Sequence, residues 1–347
     1  MDKKLIILLT FVFTLNAYTQ EFSGIVTDEF GNPLPKANVY FNGSTKGVVT
    51  NNEGKFTIQI PQIQNKVLVI SYMGYKTHYI NDFSKNYQTY KLTPKEEALE
   101  DVMVVDANIE KDKLMTTFKN FFLGIDKNGK NCIITNEDVI KLRFDPESNT
   151  LYAHSTEDLL IINDRLNYKI RYDLLDFEVK FKSQKMKGSN MLYSFFTGTS
   201  SYEDLGDLTR RQEIARSSAF KGSIRHFFKA LYHNSLMQEG FKIVKYRQSI
   251  TANRVFEIQQ EDEVQRLTLT DYAKTEPDHA DEVGTNEKTF SFLVLYNGSE
   301  QSLIQFTTPQ ILINEFGDYA PLPKVLINGD MSYKKLGSML PSDYVYE

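Results

Sequence analysis

The chain has 347 residues, a formal net charge of −5, 24% charged and 41% hydrophobic residues, and a single cysteine, Cys132. That length holds about two domains, the composition is that of ordinary folded protein, and the mild negative charge gives no global pull towards nucleic acid. One cysteine excludes an intrachain disulfide and any multi-cysteine metal site; its place in the run Cys132-Ile133-Ile134 reads as a small core hydrophobe rather than a catalytic thiol.

Lys3 and Lys4 precede an apolar run from Leu5 to Leu15. A positive start followed by a short apolar stretch is the pattern of a signal peptide, here residues 1–20, and it predicts an exported protein, periplasmic or outer-membrane associated. No cysteine lies in that stretch, so a lipoprotein anchor is not expected. No later stretch approaches about 18 consecutive apolar residues, so no transmembrane segment is expected in the mature chain.

Residues 21–93 read as a β domain. Short alternating runs are cut by turn residues at regular intervals, which predicts about seven strands. Gly31-Asn32-Pro33, Asn42-Gly43 and Asn51-Asn52-Glu53-Gly54 supply tight turns. Phe56, Ile58 and Ile60 fall on one face of a strand that Pro61 stops, and the nearly continuous apolar run Val67 to Tyr72 predicts a central strand.

Four motifs stand out here: Gly24-Ile25-Val26-Thr27-Asp28, Gly31-Asn32-Pro33-Leu34, Thr50-Asn51-Asn52-Glu53-Gly54-Lys55-Phe56 and Ser71-Tyr72-Met73-Gly74-Tyr75. In combination they closely resemble the carboxypeptidase-D regulatory-like domain. The resemblance implies a seven-stranded, transthyretin-like β-sandwich, common at the N-terminus of exported proteins of Bacteroidetes, TonB-dependent receptors among them. Leu99 to Val105 is similar to the short run that follows the module in those receptors. The module is itself non-catalytic, so the family's name does not imply a peptidase.

Residues 94–112 read as a linker in which Leu99 to Val105 adds one strand. Residues 113–347 read as a second domain of α+β type, an antiparallel sheet system with one long helix. Strands are expected at Cys132 to Phe144, Thr150 to His154, Leu159 to Ile162, Tyr168 to Tyr172, Phe177 to Phe181 and Met191 to Thr197, and again from Lys242 onwards. The long helix is expected over Leu208 to Glu239, with Asp207 as its N-cap, Gly222 as a point of kinking or division, and Gly240 as its stop. Asp271 to Lys288 reads as an acidic, structureless stretch.

No constellation in the sequence carries a specific chemistry. The zinc-peptidase spacing His-x-x-Glu occurs at His154/Glu157 and His279/Glu282, but without flanking residues that would make a site, so no catalytic residue, metal or other cofactor is expected. Ser223 and His226 share a helix face without an oxyanion hole to complete a nucleophile. The charge is uneven: nine Lys or Arg lie between Leu208 and Arg247, and Lys221, Arg225 and Lys229 fall at i, i+4, i+8. That basic stripe is the candidate binding surface, for an acidic glycan, an acidic protein or the headgroups of a membrane in peripheral contact; otherwise it is a solvated helix face. The expected function is a non-catalytic binding or assembly protein of the bacterial cell envelope, engaging a protein or glycan partner and no nucleic acid. The alternatives are a hydrolase whose site leaves no motif in the second domain and an accessory of a TonB-dependent outer-membrane receptor.

Overall fold

A computed structural model describes residues 20–61, 66–95, 111–275 and 289–346. The expected signal peptide, the extra strand at 99–105 and most of the acidic stretch lie outside these residues.

The alternating runs of the first segment form β1 (Glu21–Thr27), β2 (Asn38–Phe41), β3 (Gly47–Val49), β4 (Lys55–Gln59), β5 (Leu68–Ser71), β6 (His78–Ile80) and β7 (Gln88–Lys91). They make two sheets, ordered β4-β1-β7 and β3-β2-β5-β6. β7 runs parallel to β1, and the other pairings are antiparallel. Alternation puts Phe22, Val26, Phe56 and Ile58 of one sheet against Val39, Phe41, Leu68 and Ile70 of the other. β5 is buried throughout, as its continuous apolar run predicts.

The next unit begins with α1 (Lys111–Phe122), followed by β8 (Cys132–Ile134), β9 (Ile140–Asp145), β10 (Thr150–Ser155), β11 (Leu159–Asn163), β12 (Tyr168–Phe181) and β13 (Met191–Asp204). The sheet order is β8-β11-β12-β10-β9, and β13 pairs with β12 along nearly its whole length. The two runs expected as separate strands at Tyr168 to Tyr172 and Phe177 to Phe181 are one strand. A bulge between Leu174 and Asp176 bends it and turns Leu175 outward, 54% exposed, which breaks the alternation that would have shown its continuity. Phe118 and Phe122 of α1 pack on Phe177, with ring centroids 4.8 and 6.4 Å away.

The expected single helix is two. α2 (Arg210–Phe220) and α3 (Ile224–Tyr232) are separated at Gly222. Gly222 has φ +68, a left-handed conformation that ends α2, and Ser223 then starts α3 by accepting the His226 backbone N–H at 3.1 Å. The α2 N-cap is Thr209, not Asp207. Its hydroxyl accepts from the Gln212 N–H, and Gln212 Oε1 accepts from the Thr209 N–H in return. The chain after Tyr232 turns back without further helix and reaches Gly240.

The division matters because the halves serve different cores. Ala215 and Ala219 of α2 join the core of the β8–β13 sheet. Phe227, Phe228, Ala230 and Leu231 of α3 join another core. That third core is built from β14 (Phe241–Lys245), β15 (Gln248–Ile250), β16 (Phe256–Glu261), β17 (Val264–Leu269), β18 (Phe290–Tyr296), β19 (Glu300–Phe306), β20 (Gln310–Asn314), β21 (Tyr319–Ala320) and β22 (Val325–Gly329). The sheets run β15-β14-β18-β19-β22 and β16-β17-β20-β21. Residues 113–347 therefore hold two hydrophobic cores among the described residues.

The last stretch of chain ties the three cores together. Met331 is buried in the third core and Leu336 in the second. The Ser342 N–H donates to Gly43 O at 2.7 Å, and Asp343 accepts from the Thr45 N–H at 3.0 Å, so this strap also reaches the first domain.

Candidate ligand cleft at the helix break

The break between α2 and α3 lies on the wall of a cleft of about 540 Å³. One side is the turn Asp126–Asn128 with Arg165, the floor is α2 from Ile214 to Ala219, and Lys221, Tyr296, Asn297, Glu300, Lys334 and Ser338 close the other side. Four cations, Lys127, Arg165, Lys221 and Lys334, face it against two carboxylates, Asp126 and Glu300.

The four cations are held differently. The Lys334 ammonium donates to Ser218 O and Ala219 O, both at 3.0 Å, and to Lys221 O. It caps the carbonyl end of α2, where the helix dipole favours a cation. Burial holds its pKa below the ordinary lysine value. Arg165 donates through Nε to Asn128 Oδ1 at 2.8 Å, and the Asn128 amide donates to Ser338 Oγ at 2.8 Å. Ser338 in turn donates to Asp126, whose other oxygen takes the Gly129 N–H at 2.7 Å. This chain fixes the Arg165 side chain by one nitrogen, and its two terminal amino groups have no protein partner among the described residues. Lys127 is exposed and likewise unpaired among the described residues. The cleft thus offers donors to an anion and keeps its one well-bonded carboxylate, Asp126, turned to internal partners.

The predicted stripe does not survive as a stripe. Its i, i+4, i+8 spacing assumed one helix, and Gly222 interrupts the register. Lys221, at the end of α2, is exposed and lines the cleft, with its ammonium 5.4 Å from the Tyr346 ring; its hydrogen bond to the Tyr346 hydroxyl raises its pKa. Lys229 lies 5.6 Å from the Phe220 ring, and Phe220 stacks on Tyr346 at 5.0 Å. The two lysines therefore flank one stacked aromatic pair. Arg225 is spent internally. Its guanidinium donates to Phe316 O at 3.1 Å, to Pro341 O at 2.6 Å and to Ser342 O, and pairs with Asp318 at 3.4 Å. Gly317 permits this clamp: it has φ +85, and a Cβ there would stand 2.0 Å from Arg225 O, so only glycine lets the 314–318 turn press against α3.

The other sequence candidates fall away from the cleft or from reactivity. Ser223 is spent on its capping bond. His226 is buried; its Nδ1 accepts the Gly222 N–H at 3.1 Å, so Nε2 carries the proton and donates to Glu239 at 3.0 Å. Burial lowers its pKa against the opposing pull of Glu239. Both ring nitrogens are thus engaged, and no hydroxyl is available to it as a nucleophile. His154 and Glu157 are exposed, His279 and Glu282 lie outside the described residues, and no group of three or more metal-binding side chains occurs among the described residues. Cys132 is half-buried, its thiol directed at Asn128 O at 3.4 Å and pushed up to about 12 by burial. The cleft cations Lys127, Arg165 and Lys334 were missed by the sequence reading; they come from three separate segments, and no spacing links them.

Residues 22–105 match the family model of the CarboxypepD_reg-like domain. That stretch is a CarboxypepD_reg-like β domain, of the kind that TonB-dependent receptors of Bacteroidetes carry. The chain is 35% identical over 79 residues to the TonB-dependent receptor SusC of Bacteroides thetaiotaomicron, a match covering 22% of this chain and 8% of the receptor. It is 31% identical over 103 residues to the TonB-dependent receptor P39 of Formosa agariphila, covering 29% of this chain and 10% of that protein. The matches thus span about a tenth or less of the relatives' length. A solved structure of a protein of unknown function from Bacteroides fragilis aligns with 86% of this chain and 97% of its own, at 13% identity and a TM-score of 0.17. No helix among the described residues is long and apolar enough to cross a membrane.

Proposed function

We propose that the chain is a non-catalytic binding module of the bacterial cell envelope, exported by residues 1–20, whose cleft at the α2–α3 break takes an anionic group of an envelope glycan or protein. The observation that carries this reading is Arg165 on the cleft lining, its two terminal amino groups without a protein partner among the described residues, beside the exposed Lys127 and Lys221. Lys229 and Arg225 serve it indirectly, Lys229 against Phe220 and Arg225 by fastening the strap that carries Lys334. The likeness of the first domain to receptor segments supports the envelope address.

Calorimetric titration with a soluble polyuronate tests the reading. Binding is expected at low salt and weakens as ionic strength rises, because the rim cations are exposed. Lys127→Glu with Lys221→Glu, both exposed on the cleft rim, is expected to weaken it at least tenfold while leaving the thermal unfolding midpoint in place. Equal binding by wild type and the double variant would remove the cleft from the reading. The same first-domain likeness favours a second reading, an accessory of a TonB-dependent receptor; co-purification of such a receptor with the chain, unaffected by the cleft variants, would favour it.

A further inference from the structure

Among the described residues β13 pairs with a full strand, β12, on one side only. On its other side a short stretch is covered: Gly43 N–H donates to Ser200 O at 2.7 Å, and Tyr202 N–H donates to Ser44 O at 2.9 Å. These bonds identify the even-numbered residues as the ones whose backbone groups point away from β12. The β13 side of the ladder is continuous from Tyr193 to Asp204, because the bulge residue is Leu175 of β12. The backbone groups of Ser194, Phe196 and Gly198 therefore point outward too, and no second strand covers them among the described residues.

Sheet edges are ordinarily guarded by lysine, proline, short length or a cover. The run Met191 to Gly198 contains no charged residue and no proline. Tyr193 and Phe195, on the solvent face, are 41% and 36% exposed. An eight-residue neutral edge is a template for another strand.

The geometry points to a second copy of this chain as that strand, with the β13 edges of two copies pairing antiparallel about a two-fold axis at Phe196. In that register Ser194 of each copy meets Gly198 of the other, and Phe196 meets Phe196, so all three outward residues exchange N–H and C=O groups. Phe195 of each copy then lies opposite Thr197 of the other on the solvent face, an aromatic against a β-branched residue, which is a favourable cross-strand pair. No like charges are brought together. The paired run ends at Gly198, short of Ser200, where Gly43 already sits, and the irregularity between Lys180 and Phe181 turns Leu192 off the line at the other end.

Sedimentation equilibrium of the purified full chain over a range of concentrations tests this. A reversible monomer–dimer equilibrium is expected. Phe195→Lys sets the two lysines diagonally across the axis and is expected to weaken the dimer at least tenfold with no change in the far-UV spectrum. Adding Thr197→Glu to the same chain places each lysine opposite a glutamate of the other copy and is expected to restore association; failure to restore it, with both variants folded, overturns the register. A wild type that stays monomeric, or a dimer indifferent to Phe195→Lys, overturns the proposal. Amide exchange gives a second measurement: protection of Ser194, Phe196 and Gly198 should rise with protein concentration. Protection at every concentration in a monomer overturns the proposal, because the edge is then covered within one chain.

Discussion

α2 and α3 are adjacent in sequence, similar in length and both basic, yet they are held by opposite means. α3 presents one apolar side of large residues, Phe227, Phe228 and Leu231, to the third core. α2 offers only Ala215, Ala219 and the terminal Phe220 as buried apolar groups. Its anchor is a cation: the buried Arg216 donates to Leu166 O at 2.8 Å and Asn167 O at 3.2 Å, pairs with Asp204 at 2.6 Å and lies 3.7 Å over the Tyr168 ring. One helix is fastened by area removed from water and the other by directional bonds, and Gly222 is where the chain changes from one to the other. Arg225 then does for the strap what Arg216 does for α2.

Phe228→Ala removes a large part of the area that fastens α3. Phe228 is fully buried against Tyr319, and its loss leaves a cavity in the third core. A cost of about 3–5 kcal/mol is expected, measured by denaturant unfolding. If the two cores unfold independently, only the transition that belongs to β14–β22 moves.

Arg225→Ala comes next. It strips three carbonyls and Asp318 of their donor in a half-buried site, and about 2–3 kcal/mol is expected. Arg225→Lys is expected to recover only part, because a single ammonium cannot serve a planar fork of acceptors. Amide exchange at 341–346 should accelerate in both variants, and unchanged exchange there would show that the strap is held by Asp343 and Thr45 alone.

These two arginines show what was legible in the sequence and what was not. The first domain was read from its residues because strand alternation and turn chemistry are local signals, and the strands described there fall at expected runs. The basic stretch from Leu208 to Arg247 was counted as surface charge, yet Arg216 and Arg225 point inward, and Lys245 is buried with its ammonium on Ala273 O, Lys274 O and Ser291 O. A cation satisfied by carboxylates can be guessed from nearby Asp or Glu. A cation satisfied by backbone carbonyls leaves no mark, since every residue supplies one. The cleft was illegible for the same reason: Lys334 is there to cap α2, and its partners are carbonyls. The divided helix was half legible, since Gly222 stood out, but the two cores that make the division necessary are set by contacts far apart in the chain.

Gly222→Ala tests the division itself. The alanine would hold a left-handed conformation, at a cost of about 1 kcal/mol, and its Cβ would stand 2.8 Å from the Tyr296 ring. The sum expected is about 1–2 kcal/mol, with Tyr296 and therefore the cleft wall displaced. A cost near zero would mean that α2 and α3 can join into one helix without disturbing either core.

A smaller effect is expected from pH. Burial depresses the His226 pKa, and the Glu239 bond offsets only part of that. The folded state then binds fewer protons than the unfolded one between the depressed value and the ordinary value of about 6.5. The contribution is complete above the ordinary value and is lost as pH falls through the window below it. Unfolding midpoints measured between pH 8 and 5 should fall less steeply in His226→Gln than in the wild type; parallel curves would mean that Glu239 fully compensates the burial.

The smallest effect on stability separates the two kinds of cation. Lys221 is exposed, and its contacts with Tyr346 are at the surface, where single pairs contribute little. Lys221→Ala is expected to move stability by no more than about 0.5 kcal/mol. Its four-residue neighbour Arg225, identical to it in a count of charge, is expected to move stability several times as much. If Lys221→Ala weakens polyuronate binding while leaving unfolding unchanged, and Arg225→Ala does the reverse at saturating ligand, then the stripe divides into one residue that meets a ligand and one that builds the wall behind it. A stability loss in Lys221→Ala as large as that in Arg225→Ala would put Lys221 into the framework as well, leaving Lys127 and Arg165 as the cations that meet an anion.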